Sequence, residues 1–427
     1  MCPIFRALLG VLAVTSVTFF VLGGGLSQVA TSVHRAGVAT YTGATWFVAS
    51  VTKRDLARSY ESASTTYERV SDTNTEPFAK RKKNVRILIV PGHEPFSGGA
   101  EFGGIYEREW TYAIGESLRE ILSMNPRYEV MLARTDTAWH PALLSYFTDE
   151  AADIEAFREA HKEEMDALVR DGSIPPDLHE VHHGTASTDA ALHLYGINKW
   201  AGEQNIDIAL HLHLNDYADR KSTRAGEHAG FSIYVPLGAY SNGEASKDIA
   251  DAIAARLSAY HATSTLAQEA SGVVESRPLI ATGAYNTADH ASVLIEYGYI
   301  YEPQFHAPEL RDLVAAEYAY QTYLGLQDFF GDSVSGTYGS VAFPYDWQGA
   351  IGKERGVPVY ALQAALHHLG FYPPKNVSFT DCPITGVIGP CTKNALSAYQ
   401  QARSLSVSGV LDGATAEALQ NEFGVRL

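Results

Sequence analysis

Between Val85 and Phe330 short apolar runs alternate with stretches of helical period, and this alternation leaves the chain few architectures. Strand-like runs are predicted at 85–90, 128–133, 207–213, 230–235 and 292–297, with helical patterns at 108–124, 190–204, 245–260 and 308–329. Strands separated by helices imply βαβ units, so the expected fold class is α/β: a mostly parallel twisted sheet flanked by helices, over residues 85–330. One stretch breaks the rhythm. Residues 138–189 are too long for an ordinary connection, and within them Ile154, Phe157, His161, Met165 and Leu168 recur at helical intervals among acidic residues. An amphipathic helix is predicted over 149–170. It either packs on the domain or acts as a lid or regulatory element, and in the second case a protein activator is the partner to expect. His182 and His183 follow it, in a loop where histidines are ordinarily solvated.

The flanks read differently. Arg6 precedes an apolar run from Ala7 to Leu22, the pattern of a secretory signal or of an uncleaved anchor through residues 7–26, within a segment 1–30. Either reading exports the chain to the periplasm or cell wall. Residues 31–84 carry Ser, Thr, Ala and charge without period and end in Lys80-Arg81-Lys82-Lys83, as a spacer would. Residues 331–349 are rich in Gly, Ser and Tyr and read as a linker. Residues 350–427 then form a small module of three helices: one carries Val359, Leu362, Leu366 and Leu369 on a face and stops at Gly370, one runs from Thr392 to Ala402, and the stretch 406–419 opens a third. Cys382 and Cys391 lie close together there, and an oxidising compartment favours a disulfide between them. The formal charge of −17 argues against nucleic acid or an anionic membrane as main partner, so membrane contact is expected only through the N-terminal segment.

The chemistry concentrates at strand ends. Val85 to Val90 reads as a buried strand that Pro91-Gly92 terminates, which puts His93 where open α/β sheets place their ligands. A glycine-rich loop (Gly98, Gly99, Gly103, Gly104) leads to Glu107, which opens a helix with Trp110, Ile114, Leu118, Ile121 and Leu122 on one face. In the run from Asp207 to Asn215, His211 and His213 share one strand face, with His213 nearer the C-terminal end. Glu296 closes an otherwise apolar strand, where a carboxylate is costly unless paired, metal-bound or open to a cleft. His93, Glu107 and His213 together supply the N/O donors of a catalytic zinc site, and Glu296 supplies a carboxylate to move a proton. That combination describes a hydrolase. Glu109 competes with Glu107, and His211 with His213, but helix and strand geometry favour Glu107 and His213.

These residues resemble the zinc-dependent N-acetylmuramoyl-L-alanine amidases of the amidase_3 type. The resemblance lies in Pro91-Gly92-His93 with Glu107, in Leu132-Ala133-Arg134-Thr135-Asp136, in His213-Leu214-Asn215 and in Glu296-Tyr297-Gly298-Tyr299, over residues 85–328 apart from the insertion. Departures occur beside the first motif: Val90 replaces the usual Asp, and Glu94-Pro95 the usual Gly-Gly. The resemblance implies zinc on His93, Glu107 and His213, Glu296 as the catalytic acid and base, and cleavage of the bond between N-acetylmuramic acid and L-alanine. The C-terminal unit resembles the peptidoglycan-binding_1 module, through the segments 359–366, 386–392 and 408–413, and implies peptidoglycan as partner. Two rivals stand beside this reading: a zinc peptidase acting on wall stem peptides, and a non-catalytic peptidoglycan-binding protein. Manganese or cobalt would accept similar donors.

Overall fold

The computed structural model describes residues 84–172, 181, 186–217, 220, 223–238, 240, 242–283, 287, 290–330 and 339–423. The N-terminal segment, the spacer up to residue 83, and His182 and His183 lie outside the described residues. In chain order the elements are β1 (Val85–Pro91), β2 (Glu101–Phe102), β3 (Ile105–Tyr106), α1 (Glu107–Leu122), β4 (Tyr128–Leu132), α2 (Pro141–Asp149), α3 (Ala151–Arg170), α4 (Thr188–Glu203), β5 (Ile208–Asn215), β6 (Ser232–Val235), α5 (Gly243–Leu257), β7 (Val273–Glu275), β8 (Ala291–Tyr299), α6 (Arg311–Phe329), α7 (Val357–His368), α8 (Pro390–Ala402) and α9 (Gly413–Glu422). Short 3₁₀ turns occur at Ala267–Glu269, Pro303–Phe305 and Pro308–Leu310.

The main sheet has the order β4-β1-β5-β8-β6-β7. β4, β1, β5 and β8 are parallel, β6 runs antiparallel to β8, and β7 follows β6. The sheet is therefore mixed but mostly parallel, with helices on both faces. β1, β5 and β8 sit centrally and are apolar on both sides, as strands covered on two faces must be. One face buries Ile87, Ile89, Leu210, Leu212, Val293 and Ile295 under α1, α5 and α6. On the other face Leu88 and Val90 pack with Tyr195, Ile197 and Trp200 of α4.

The insertion adds to that second face. The helix expected over 149–170 is present as α3, and a further helix with no predicted counterpart, α2, precedes it, with Glu150 (φ −108°, ψ 17°) between the two. Leu143, Phe147 and Ile154 enter the core with α4, while Leu168 and Val169 near the far end of α3 meet Leu237 and Tyr240. These last residues follow β6, whose antiparallel direction puts them at the opposite end of the sheet from the ends of β1, β5 and β8. α3 runs down the flank of the domain rather than across the strand ends.

Two features had no periodic signal. β7 is too short to show a period, and β2 and β3 form a hairpin inside the glycine-rich loop. The described part of the linker also departs from a free spacer, since Val341, Phe343 and Trp347 are buried. Ser340 Oγ and the Val341 amide donate to Glu317 of α6 (2.8 and 2.9 Å), which fastens the segment to the domain.

The C-terminal module shares this core. Phe343 packs on Phe423 with ring centroids 5.0 Å apart, Tyr260 on His367 at 5.3 Å, and Leu310 sits against Gly386. Within the module Gln363 accepts from the Thr385 and Gly386 amides, and Gln400 accepts from the Ser408 and Gly409 amides, so each glutamine pins one interhelical loop. Cys382 and Cys391 are joined in a disulfide. No helix among the described residues is long and apolar enough to cross a membrane.

Candidate metal centre and catalytic carboxylate

Strand pairing brings the motifs together. The Gly92 amide continues the ladder by donating to the Leu212 carbonyl (2.8 Å), so the chain leaving β1 passes directly over His213. A Cβ on Gly92 would lie 2.4 Å from the His213 ring, and only glycine permits this approach. His93 then adopts φ 68°, a left-handed conformation uncommon outside glycine. Its ring lies against Gly99 and faces Glu107 at the first position of α1. The positive end of the α1 dipole favours a carboxylate there.

One donor atom from each of His93, Glu107 and His213 lies within 4.8 Å of the others. His93 Nε2 is 2.8 Å from Glu107 Oε2, and His213 Nδ1 is 3.0 Å from Oε1. The Ala100 amide donates to Oε2 (2.7 Å) and the Leu214 amide to Oε1 (3.1 Å). Burial pushes the Glu107 carboxyl up, but the charge of His93 and the hydrogen bonds from both histidines outweigh it and hold the group well below the ordinary carboxylate range. Burial lowers His213, against the pull of Glu107. A pair of imidazoles with a buried, ionised carboxylate suits a divalent metal ion.

The rival residues lie elsewhere. Glu109 points away from the cluster and faces Arg311 (3.4 Å). His211 is fully buried two residues before His213 on the same strand, with neither ring nitrogen partnered, and burial pushes it down to about 3.

Glu296 stands directly across the ladder from His213, in register between β5 and β8. It is 6% exposed, and its Oε2 makes no hydrogen bond. Burial, and then the charges of Glu107 and Glu269, raise its pKa well above the ordinary value. Glu269, the second carboxylate close by, is held by hydrogen bonds. It accepts from Asn215 Nδ2 (2.9 Å), from the Tyr299 hydroxyl (3.0 Å), and from the Tyr234 and Ser264 hydroxyls. Asn215 and Tyr299 belong to the motifs that carry His213 and Glu296, so the two motifs meet on an acidic residue that no motif contains.

Arg134 was legible only as part of a segment, and its role emerges from the geometry. The buried guanidinium donates to the carbonyls of Pro91 (3.0 Å), Gly92 and Arg108 (3.0 Å) and to the Thr111 hydroxyl (3.1 Å). It ties the loop carrying His93 to the helix start carrying Glu107. Burial pushes it down to about 10, opposed by the charges of Glu107 and Glu94. It remains a cation at neutral pH.

Residues 355–419 match the PG_binding_1 family model, described as "Putative peptidoglycan binding domain". No curated protein matches the chain in sequence. Among solved structures, the chain is similar to the CwlD amidase from Clostridioides difficile in complex with the GerS lipoprotein, at 16% identity and a TM-score of 0.38, covering 58% of this chain and 100% of that one. It is also similar to the N-acetylmuramyl-L-alanine amidase Ami1 from Mycobacterium smegmatis, at 15% identity and 0.38, covering 59% and 99%. The catalytic domain of CwlV, an N-acetylmuramoyl-L-alanine amidase from Bacillus (Paenibacillus) polymyxa var. colistinus, aligns at 15% identity and 0.35, covering 58% and 99%. By the sequence match, the chain carries a module of the peptidoglycan-binding_1 type behind its α/β domain.

Proposed function

We propose that the chain is an exported, zinc-dependent N-acetylmuramoyl-L-alanine amidase, hydrolysing the amide between the lactyl group of N-acetylmuramic acid and L-alanine in peptidoglycan. The reading rests on one juxtaposition: the donors of His93, Glu107 and His213 gathered at the strand ends, with Glu296 in register beside His213. Those three residues would hold the ion. When bound, zinc supplies Lewis acidity toward the scissile carbonyl and makes water a stronger acid.

Glu296 handles the proton. As water adds to the carbonyl carbon, the carboxylate accepts a proton from it; as the C–N bond breaks, the same proton passes to the departing α-amine of L-alanine. The burial and neighbouring charges that raise its proton affinity make Glu296 a stronger base than an exposed glutamate. Glu269 and its hydroxyl donors fix the strand ends on either side, and Arg134 fixes the His93 loop against α1.

The module supports an insoluble wall polymer as substrate. Because it is packed into the core of the α/β domain, polymer bound by one part is held at a set distance from the other, which raises its effective concentration. The test is incubation of purified peptidoglycan with the chain, with and without a chelator. Release of stem peptide bearing a free N-terminal L-alanine amine, stopped by the chelator, is the expected result. Cuts inside the stem peptide would replace this reading by a peptidase. Binding of both zinc and polymer without release would replace it by a non-catalytic wall-binding protein.

A further inference from the structure

The residue after His93 is held as firmly as His93 itself. Glu94 stands where the amidase_3 resemblance places a glycine, and both its carboxylate oxygens are engaged. The Trp139 indole N–H donates to Oε2 (3.2 Å), and His193 Nδ1 lies 2.7 Å from Oε1. These partners flank the insertion: Trp139 lies at its start, before α2, and His193 lies just past its end, in α4.

Neither partner is loose. The His193 ring stacks on Phe147 with centroids 4.4 Å apart, and Trp139 meets the edges of Phe147 (5.2 Å) and His193 (5.6 Å). Phe147 is buried in the core that α2, α3 and α4 share with β1. On the near side, the His140 amide donates to the Ala133 carbonyl (2.8 Å) and Trp139 bridges to Arg134, the residue whose guanidinium grips Pro91 and Gly92. The loop 91–94 is therefore held from beneath by Arg134 and from outside by the insertion.

His93 needs such a hold. A left-handed conformation at a non-glycine residue persists only when its surroundings over-determine it. The hydrogen bonds of Glu94 act on the very next residue. We propose that Glu94 is a positioning residue: clamped by Trp139 and His193, it holds His93 in the conformation that presents its ring to Glu107 and His213, and so makes metal affinity depend on the insertion. The proposal rests on the reading of His93 as a metal ligand.

The test measures zinc affinity of the full chain by competition with a chromophoric chelator, together with the melting temperature of the metal-free chain. Glu94→Ala and His193→Ala are each expected to weaken zinc binding by about 10- to 100-fold, the range found for groups that orient metal ligands. The double variant is expected to be no weaker than the poorer single one, since both remove one contact. Glu94→Gln is the conservative control: its amide oxygen can accept from Trp139 and its N–H can donate to His193, so it recovers most of the affinity. Zinc affinity unchanged in Glu94→Ala and His193→Ala overturns the proposal and leaves the clamp as a fastening for the insertion. A Glu94→Gln variant as weak as Glu94→Ala despite unchanged metal-free melting overturns it as well. If the wild-type chain binds no zinc, the metal reading itself fails, and the proposal with it.

Discussion

Two buried carboxylates face the same strand ends and are treated in opposite ways. Around Glu107 each oxygen is met by an imidazole nitrogen and a backbone amide: His93 and Ala100 on one, His213 and Leu214 on the other. Around Glu296 an oxygen is left without a donor, and the nearby hydrogen-bonding power converges instead on Glu269. The first arrangement keeps the carboxylate ionised, the form in which a carboxylate would bind a metal ion. The second leaves a carboxylate short of partners and beside other negative charge, which raises its affinity for a proton. The Asn215, Tyr234, Ser264 and Tyr299 donors serve Glu269, and on the proposed mechanism this separates a group that stays charged from one that changes its charge.

The largest effect to expect is on the satisfied side. His213→Ala removes one of the donors, and the bound zinc measured by atomic absorption should fall from about one ion per chain to a trace, with peptide release falling to the background of the chelated chain. Zinc retained at full stoichiometry would mean that His213 serves only to orient Glu107. Glu296→Gln should separate the corners most sharply. It keeps the shape and removes the base, so kcat is expected to drop by about 10²- to 10⁴-fold while zinc content stays that of wild type. Loss of zinc in this variant would merge the two corners into one binding site.

Gly92→Ala probes the contact between them. Its Cβ would enter the His213 ring at 2.4 Å, and the ring cannot move aside without leaving Glu107 Oε1. Zinc affinity is expected to weaken by about 10- to 100-fold, as for other displaced ligands. Unchanged affinity would show that the β1 terminus yields instead of the ring, despite its hold by Arg134.

Much of the satisfied corner was readable in the sequence, because its signals are local: a β-branched run, Pro-Gly, a histidine, and a glutamate one residue into a helical period. Helix rotation also favoured Glu107 over Glu109, and the structure gives Glu109 to Arg311. The setting of Glu296 was not readable. Glu269 lies in a 3₁₀ turn of three residues, 54 positions from Asn215 and 35 from Tyr234, and no periodicity connects such positions. Arg134 reaches carbonyls 43 residues upstream in the same hidden way. Nor did the stretch after residue 339 announce its burial. Phe343 and Trp347 fill irregular space between α6 and the C-terminal module, which calls for aromatic bulk but imposes no spacing. What is legible is what one element determines by itself; what several elements determine together is not.

The smallest effect should separate the two carboxylates by sign. Glu107 has its pKa lowered by folding, so its contribution to stability is present above the ordinary carboxylate pKa and is lost as pH falls toward the lowered value. Glu296 has its pKa raised, so its contribution is fully present below the ordinary value and is lost as pH rises through the raised one. In the metal-free chain at about pH 8, Glu107→Gln should therefore lower the melting temperature and Glu296→Gln should raise it, by roughly 2–4 °C for each kcal/mol involved. Toward about pH 4 the gain from Glu296→Gln should shrink, since the folded wild-type chain then carries the proton and holds no buried charge for the amide to relieve. Thermal melts of the metal-free variants across this range make the check. A Glu296→Gln chain that melts below wild type at the alkaline end would show that the fold accommodates the Glu296 charge after all, and the contrast between the two corners would then rest on the metal alone.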